Sequence, residues 1–282
     1  MNDSYIYQSD SYDRQSQRFV LPLYIKDELG GYNFSSTGTL VKYKGSHYII
    51  FAAHALDGGV DFERVFLFFA DGTFHQIKTF AIGHQIFKDD DIVVVDCFNR
   101  VLEQKNYFDI EKKSLNGFEK RFFAWTGFPI SQSTTKSVHK SKSPEALKEN
   151  FVHTDESGNY FKSAKYFTII SKIRTNNRLE ITGDYCRNNA ILKYKGKVSM
   201  ATHPKGMSGG AIYFFSKHEV LKDDLDLSFR FAGIGIEYKN NKLIIGVARG
   251  RIIELLDEFD NENPIPFILS ENCTRAAGEI ET

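Results

Sequence analysis

Lys205-Gly206-Met207-Ser208-Gly209-Gly210-Ala211-Ile212-Tyr213 sets one serine among three glycines and runs straight into an apolar, strand-like segment. Glycine has no Cβ, so such a loop can bare a hydroxyl and bring backbone N–H groups close to it. Acyl transfer needs both a nucleophile and a preorganised site for the oxyanion. A Gly-rich hairpin turn fits the same letters. Gly206–Gly210 also satisfies the G-x-S-x-G pattern of an esterase elbow. That elbow requires a helix after the serine and a histidine further along the chain. The residues after Ser208 are β-formers, and the one later histidine, His218, lies in a charged loop.

Outward from this stretch the chain is written in short β-rich runs. Phe19–Ile25, Gly38–Tyr43 and Tyr48–Ala53 open the first half, the last two joined by Lys44-Gly45-Ser46 as a hairpin turn. Val65–Phe69, Phe74–Ile77 and Ile92–Val95 follow. The second half holds Arg121–Pro129, Tyr166–Ile170, Leu179–Ile181, Ala190–Tyr194, Ala211–Phe215, Phe229–Ile236 and Leu243–Ala248. Many short strands with turns between them predict an all-β barrel or sandwich. Ile252, Leu255, Leu256 and Phe259 recur at helical spacing and predict one C-terminal helix.

These runs divide the chain into a polar N-terminal arm (1–18), a first barrel (19–110), a second barrel with the helix (111–259) and a tail (260–282). Residues 131–160, rich in Ser, Thr and Lys, read as an exposed insertion in the second barrel. Ser143-Pro144 within it suits the start of a short helix.

A reactive serine needs a base and a group to orient it. Of eight histidines, His54 follows Phe51-Ala52-Ala53 at the end of an apolar strand, where two small residues leave room. A hydrogen-bonded core histidine fits that context too. Asp91 enters Ile92-Val93-Val94-Val95 directly, with Asp89 and Asp90 expected to form a solvated pair beside it; an ordinary acidic turn is the alternative.

Taken together, Phe51-Ala52-Ala53-His54 resembles the T-A-A-H motif of chymotrypsin-like (trypsin-like) serine peptidases. Asp91–Val95 resembles their D-I-A-L-L stretch, and Gly206–Ala211 their G-D-S-G-G-P. The order His, Asp, Ser is the one used by that class. The resemblance covers residues 19–257, outside the insertion, and implies two packed six-stranded antiparallel β-barrels with a site between them. It implies His54 as general base, Asp91 as its orienter, Ser208 as nucleophile, and the N–H groups of Gly206 and Ser208 as the oxyanion hole. By position it places Thr202, His203 and Glu237 around the substrate pocket. A carboxylate at Glu237 leans the preference to Lys or Arg at P1, whereas His203, Lys205 and Arg249 there would favour an acidic P1.

Met207 departs from the family. The digestive enzymes carry an aspartate before the serine, which pairs with a new N-terminus made by cleavage. Methionine cannot form that pair, so no activation of that kind is expected. Gly127-Phe128-Pro129 is similar to the G-Y-P segment of glutamyl-endopeptidase-like and high-temperature-requirement-like members. The whole resembles a bacterial cytosolic branch, some of whose members serve defence or signalling by cutting one partner protein. A latent or inactive binding module on the same fold is the competing function.

Composition narrows the field further. Lys+Arg and Asp+Glu each number 36, which gives no electrostatic case for nucleic acid or an anionic membrane. The N-terminus has no basic-then-apolar leader, and no run reaches the roughly 20 apolar residues of a membrane span. Three scattered cysteines (97, 186, 273) lack any CxxC pair, so neither a disulfide framework nor a zinc site is expected. The sequence thus predicts a cytoplasmic protein without metal or cofactor, acting on a protein or peptide and leaving room for a regulatory partner.

Overall fold

The computed structural model describes residues 15–56, 59–69, 73–102, 105–130, 133, 152–155, 158–161, 166–185, 191–194, 197–200, 203–217, 224–240, 242–262 and 264–266. The strands of the first half are β1 (Val20–Lys26), β2 (Tyr32–Tyr43), β3 (Ser46–Ala52), β4 (Val65–Phe68), β5 (Phe74–Gln76), β6 (Gly83–Phe87), β7 (Ile92–Asp96) and β8 (Phe108–Asp109). The second half holds β9 (Phe122–Gly127), β10 (Val152–Asp155), β11 (Gly158–Phe161), β12 (Phe167–Asn176), β13 (Glu180–Asp184), β14 (Ile191–Tyr194) and β15 (Lys197–Met200). It continues through β16 (Gly210–Phe215), β17 (Phe229–Lys239), β18 (Leu243–Ala248), helix α1 (Arg249–Asn261) and β19 (Ile265–Pro266).

The β2–β3 hairpin turns at Lys44 and Gly45, both at positive φ. That is the two-residue turn whose twist matches the flanking strands. β3 is buried on both faces, and the period of two splits it. Ile49 and Phe51 join a cluster drawn only from the first half, with Leu21, Leu40, Val93 and Val95. Tyr48 and Ile50 turn to a second cluster, where residues of the first half meet Tyr213, Phe231 and the Ile252–Phe259 face of α1. A third cluster, with Phe123, Trp125, Ile181, Ile212 and Ile244, belongs to the second half alone.

The second half closes as expected: β12-β13-β18-β17-β16-β9 form a six-stranded antiparallel barrel. The first half forms a curled sheet in the order β19-β6-β7-β3-β2-β1-β4-β5, with β8 added beside β2. Of the expected pair of barrels, one is closed and the other half is a curled sheet. β6 pairs with β7 on one edge and with β19 on the other, Ile265 opposite His84 and Pro266 opposite Gly83. Among the described residues β19 and β5 stand at the two ends of that order.

The described part of the arm is folded against the rest of the chain. Gln17–Phe19 form a 3₁₀ turn, and Gln15, Ser16 and Gln17 are buried. Phe19 stacks on Phe108 with ring centroids 4.0 Å apart. Ser16 Oγ lies 3.3 Å from Thr126 Oγ1 in β9. The arm thus docks on the second half before entering β1. Within 131–160 the described residues are Ser133, which is buried, and the β10–β11 hairpin. The short helix expected at Ser143 lies outside the described residues. Among the described residues no helix is long and apolar enough to cross a membrane.

Candidate active site

β3 and β7 are antiparallel neighbours with Ala52 opposite Ile92. The residues just beyond that pair, at the end of one strand and the start of the other, are therefore brought side by side. After Ala52 the chain tightens into a 3₁₀ turn over Ala53–Leu56. Asp91 receives this turn with three groups. Ala53 N donates to Asp91 O (2.9 Å), His54 N donates to Asp91 Oδ1 (2.8 Å), and His54 Nδ1 lies 2.6 Å from Asp91 Oδ2. A carboxylate only accepts, so the imidazole proton sits on Nδ1 and Nε2 is left as the basic nitrogen. Asp91 adopts φ +54°, a left-handed conformation that costs an L-residue about 1–2 kcal/mol.

That conformation has a brace the sequence did not reveal. Asp90 is not solvated: the Arg251 guanidinium on α1 forks onto it, Nε to Oδ1 at 2.9 Å and Nη2 to Oδ2 at 2.7 Å. Arg251 Nη1 also donates to Glu254 and Glu258. These carboxylates raise the Arg251 pKa above its ordinary value, Asp90 foremost. The reading of Asp89 and Asp90 as a solvated pair fails for Asp90. Its partner is 161 residues away and on the other half of the molecule.

The Ser208 loop is fixed from both sides. Within it, Met207 N donates to Pro204 O and Gly210 N to Met207 O, both at 2.9 Å. The Met207 side chain is fully buried in the second-half cluster with Trp125 and Ile212. An apolar anchor therefore holds the residue just before Ser208. Across the seam, β2 holds the loop through hydroxyls. Ser36 Oγ and Thr37 N donate to Ser208 O (2.6 and 3.0 Å), Thr37 Oγ1 to Gly206 O (3.2 Å), and Thr39 Oγ1 to Gly209 O (2.7 Å). One residue earlier, Ser35 Oγ donates to Ala55 O in the His54 turn (3.1 Å). One strand thus fastens both the histidine turn and the serine loop. Gly209, at φ +81°, leaves no space for a Cβ, which would lie 2.0 Å from Thr37 O and 3.0 Å from Ala52 N. Sequence reasoning missed Ser35-Ser36-Thr37-Gly38-Thr39. The signal was a run of hydroxyls inside a strand, three of them nearly fully buried.

Ser208 Oγ donates to Ile236 O at 2.8 Å. Gly206 lies at φ +95°. Among the described residues, neither the N–H of Gly206 nor that of Ser208 is donated to another group. His203 is exposed, accepts from Lys205 N at its Nδ1, and meets Tyr238 edge to face. Glu237 is exposed and pairs with Lys239 at 3.3 Å. Arg249 points elsewhere, its Nε donating to Ile110 O. Thr202 lies outside the described residues.

An open cleft of about 800 Å³ runs past His54 and Asp91 and is bounded by Phe62, Ile86, Lys88 and Pro266. The His54 side chain is 43% exposed and that of Asp91 30%. A bound substrate would cover the pair and strengthen its electrostatics by excluding water. Among the described residues no group of three His, Cys, Asp or Glu is placed to hold a metal ion. Chemically, the arrangement offers an oriented imidazole base, a serine hydroxyl on a glycine loop and, among the described residues, two backbone N–H groups with no acceptor. Comparison with protein-family models gives no match for this chain, and comparison with curated proteins gives none either.

Proposed function

We propose that the chain is a serine endopeptidase of the chymotrypsin-like kind. The observation that carries this reading is the 2.6 Å His54–Asp91 bond fastened to the same strand as the Ser208 loop. The Ser208 hydroxyl rotates from Ile236 O toward His54, which takes its proton as the oxygen attacks a peptide carbonyl. The resulting oxyanion accepts from the N–H groups of Gly206 and Ser208. His54 passes the proton to the leaving amine, and Asp91 stabilises the imidazolium in between. Water then attacks the acyl-enzyme by the same route. The curled first sheet stands in this reading as the first barrel of the chymotrypsin pair, with β19 at one end of it.

The substrate is a protein or peptide, with a preference for Lys or Arg at P1. An exposed Glu237–Lys239 pair is weak, and a basic substrate side chain can replace Lys239. A fluorogenic peptide panel tests this. Hydrolysis after Lys or Arg should vanish in Ser208→Ala and fall in Glu237→Gln; unchanged cleavage in Glu237→Gln removes the P1 assignment.

One observation favours a second reading, a latent enzyme or binding module. The Ser208 hydroxyl already spends its proton on Ile236 O. Covalent labelling by a fluorophosphonate separates the two, since a latent site does not react.

A further inference from the structure

We propose that a basic recess at the start of α1 binds a phosphate-type oxyanion. The recess measures about 250 Å³ and is lined by Arg230 and Arg249, with Lys112, Lys113, Arg178 and Gly250 around them. None of His54, Asp91 and Ser208 borders it.

The case rests on hydrogen-bond donors that the protein leaves unfilled. Arg230 is only 9% exposed. Its Nη2 donates to Asp226 O at 3.2 Å and its guanidinium lies 5.1 Å over the Phe118 ring, yet its Nε is buried with no acceptor. Arg249 donates through Nε to Ile110 O, while its Nη2 is buried with no acceptor. Burial, and then the charge of Arg230, push the Arg249 pKa down. A buried guanidinium and a half-buried one that repel each other, each holding one buried N–H group with no acceptor, are costly unless an acceptor joins them.

The nearby acids do not fill that role. The Asp226 and Asp109 carboxylates pair with Lys112, and Glu254 with Arg178 and Arg251. The end of α1 adds a third feature. Its capping residue is Ala248, which has no side-chain oxygen, and its first turn has no acid. The helix N–H groups and dipole there favour an anion. The recess falls below the roughly 300–1,000 Å³ of sites for drug-sized ligands, so it suits a small tetrahedral anion or the phosphoryl end of something larger.

The test is binding, not catalysis, so it stands apart from the peptidase reading; Ser208→Ala protein should bind as the wild type does. Inorganic phosphate is titrated against sodium chloride of matched ionic strength, following thermal unfolding and the phosphorus-31 NMR linewidth. The expected result is saturable binding, with a rise in Tm of about 2–3 °C at tenfold excess over Kd. Arg249→Gln, which keeps a donor for Ile110 O, should weaken binding at least tenfold. Phenyl phosphate forms a second arm: binding by both ligands assigns a phosphate monoester site, and binding by inorganic phosphate alone assigns a free-ion site. No excess of phosphate over chloride, in Tm and in linewidth, overturns the proposal. So does unchanged affinity in a folded Arg249→Gln.

Discussion

Replacing Arg251 by methionine removes a guanidinium that ties α1 to Asp90 in the turn carrying Asp91. Four charge-assisted bonds are lost, two to Asp90 at 2.7 and 2.9 Å and one each to Glu254 (3.1 Å) and Glu258 (2.8 Å). The side chains of Arg251 and Asp90 are 22% and 20% exposed. An exposed ion pair contributes about 0–1 kcal/mol, and breaking a fully buried one costs about 3–5 kcal/mol. A forked pair one-fifth exposed falls between, at about 2 kcal/mol. For a chain of this size that is a fall in Tm of about 3–4 °C. Asp90→Asn should act in the same direction, and the double variant should lose less than the sum, with a coupling of about 1 kcal/mol.

The effect on chemistry follows from the neighbour. Asp91 holds φ +54°, and an unbraced turn relaxes away from it. In the proposed mechanism the His54–Asp91 bond matters most when the imidazole is charged. The loss should therefore appear in kcat, by about tenfold, with KM little changed. Outright mistuning in Asp91→Asn sets the ceiling, near 10⁴-fold. Calorimetry gives the first quantity and the rate of fluorophosphonate labelling the second. An Arg251→Met protein with Tm within 1 °C of wild type and an unchanged labelling rate would refute the brace.

Three further expectations concern the loop, the seam and the arm. Met207→Asp places a carboxylate in a fully buried apolar site and should cost about 3–5 kcal/mol, with no gain in activity after any N-terminal trimming; chemical denaturation and labelling check it. Gly209→Ala sets a methyl 2.0 Å from Thr37 O at φ +81° and should cost about 2–5 kcal/mol while abolishing labelling. Burial, and then the charge of Arg18, pull the Lys105 pKa down to about 7 from its ordinary 10.5. Between those values the unfolded chain binds a proton that the folded chain does not. Stability should therefore rise with pH from about 7 to 10.5 and be flat just below it, and denaturation curves of Lys105→Met should lack that rise.

The placing of His54 beside Asp91 is readable because each residue abuts an apolar run, and such runs pair. The α1 face at Ile252, Leu255, Leu256 and Phe259 is readable by its period, and all four are buried. What escaped is non-local or short. Gly83–Phe87 mixes polar and apolar residues, and β19 is two residues long with a proline, so neither announces that the two pair. The Arg251–Asp90 fork joins residues that no window spans. The hydroxyls of Ser36, Thr37 and Thr39 look like polar strand filler until the serine loop is laid against them.

The central claim is that Ser208 is a nucleophile activated by His54 and oriented by Asp91. Fluorophosphonate treatment followed by peptide mass mapping tests it most directly. The account predicts one stoichiometric adduct on Ser208, absent in His54→Ala and Ser208→Ala and strongly slowed in Asp91→Asn. A folded wild-type protein that takes no adduct, or labels equally well without His54, would contradict it.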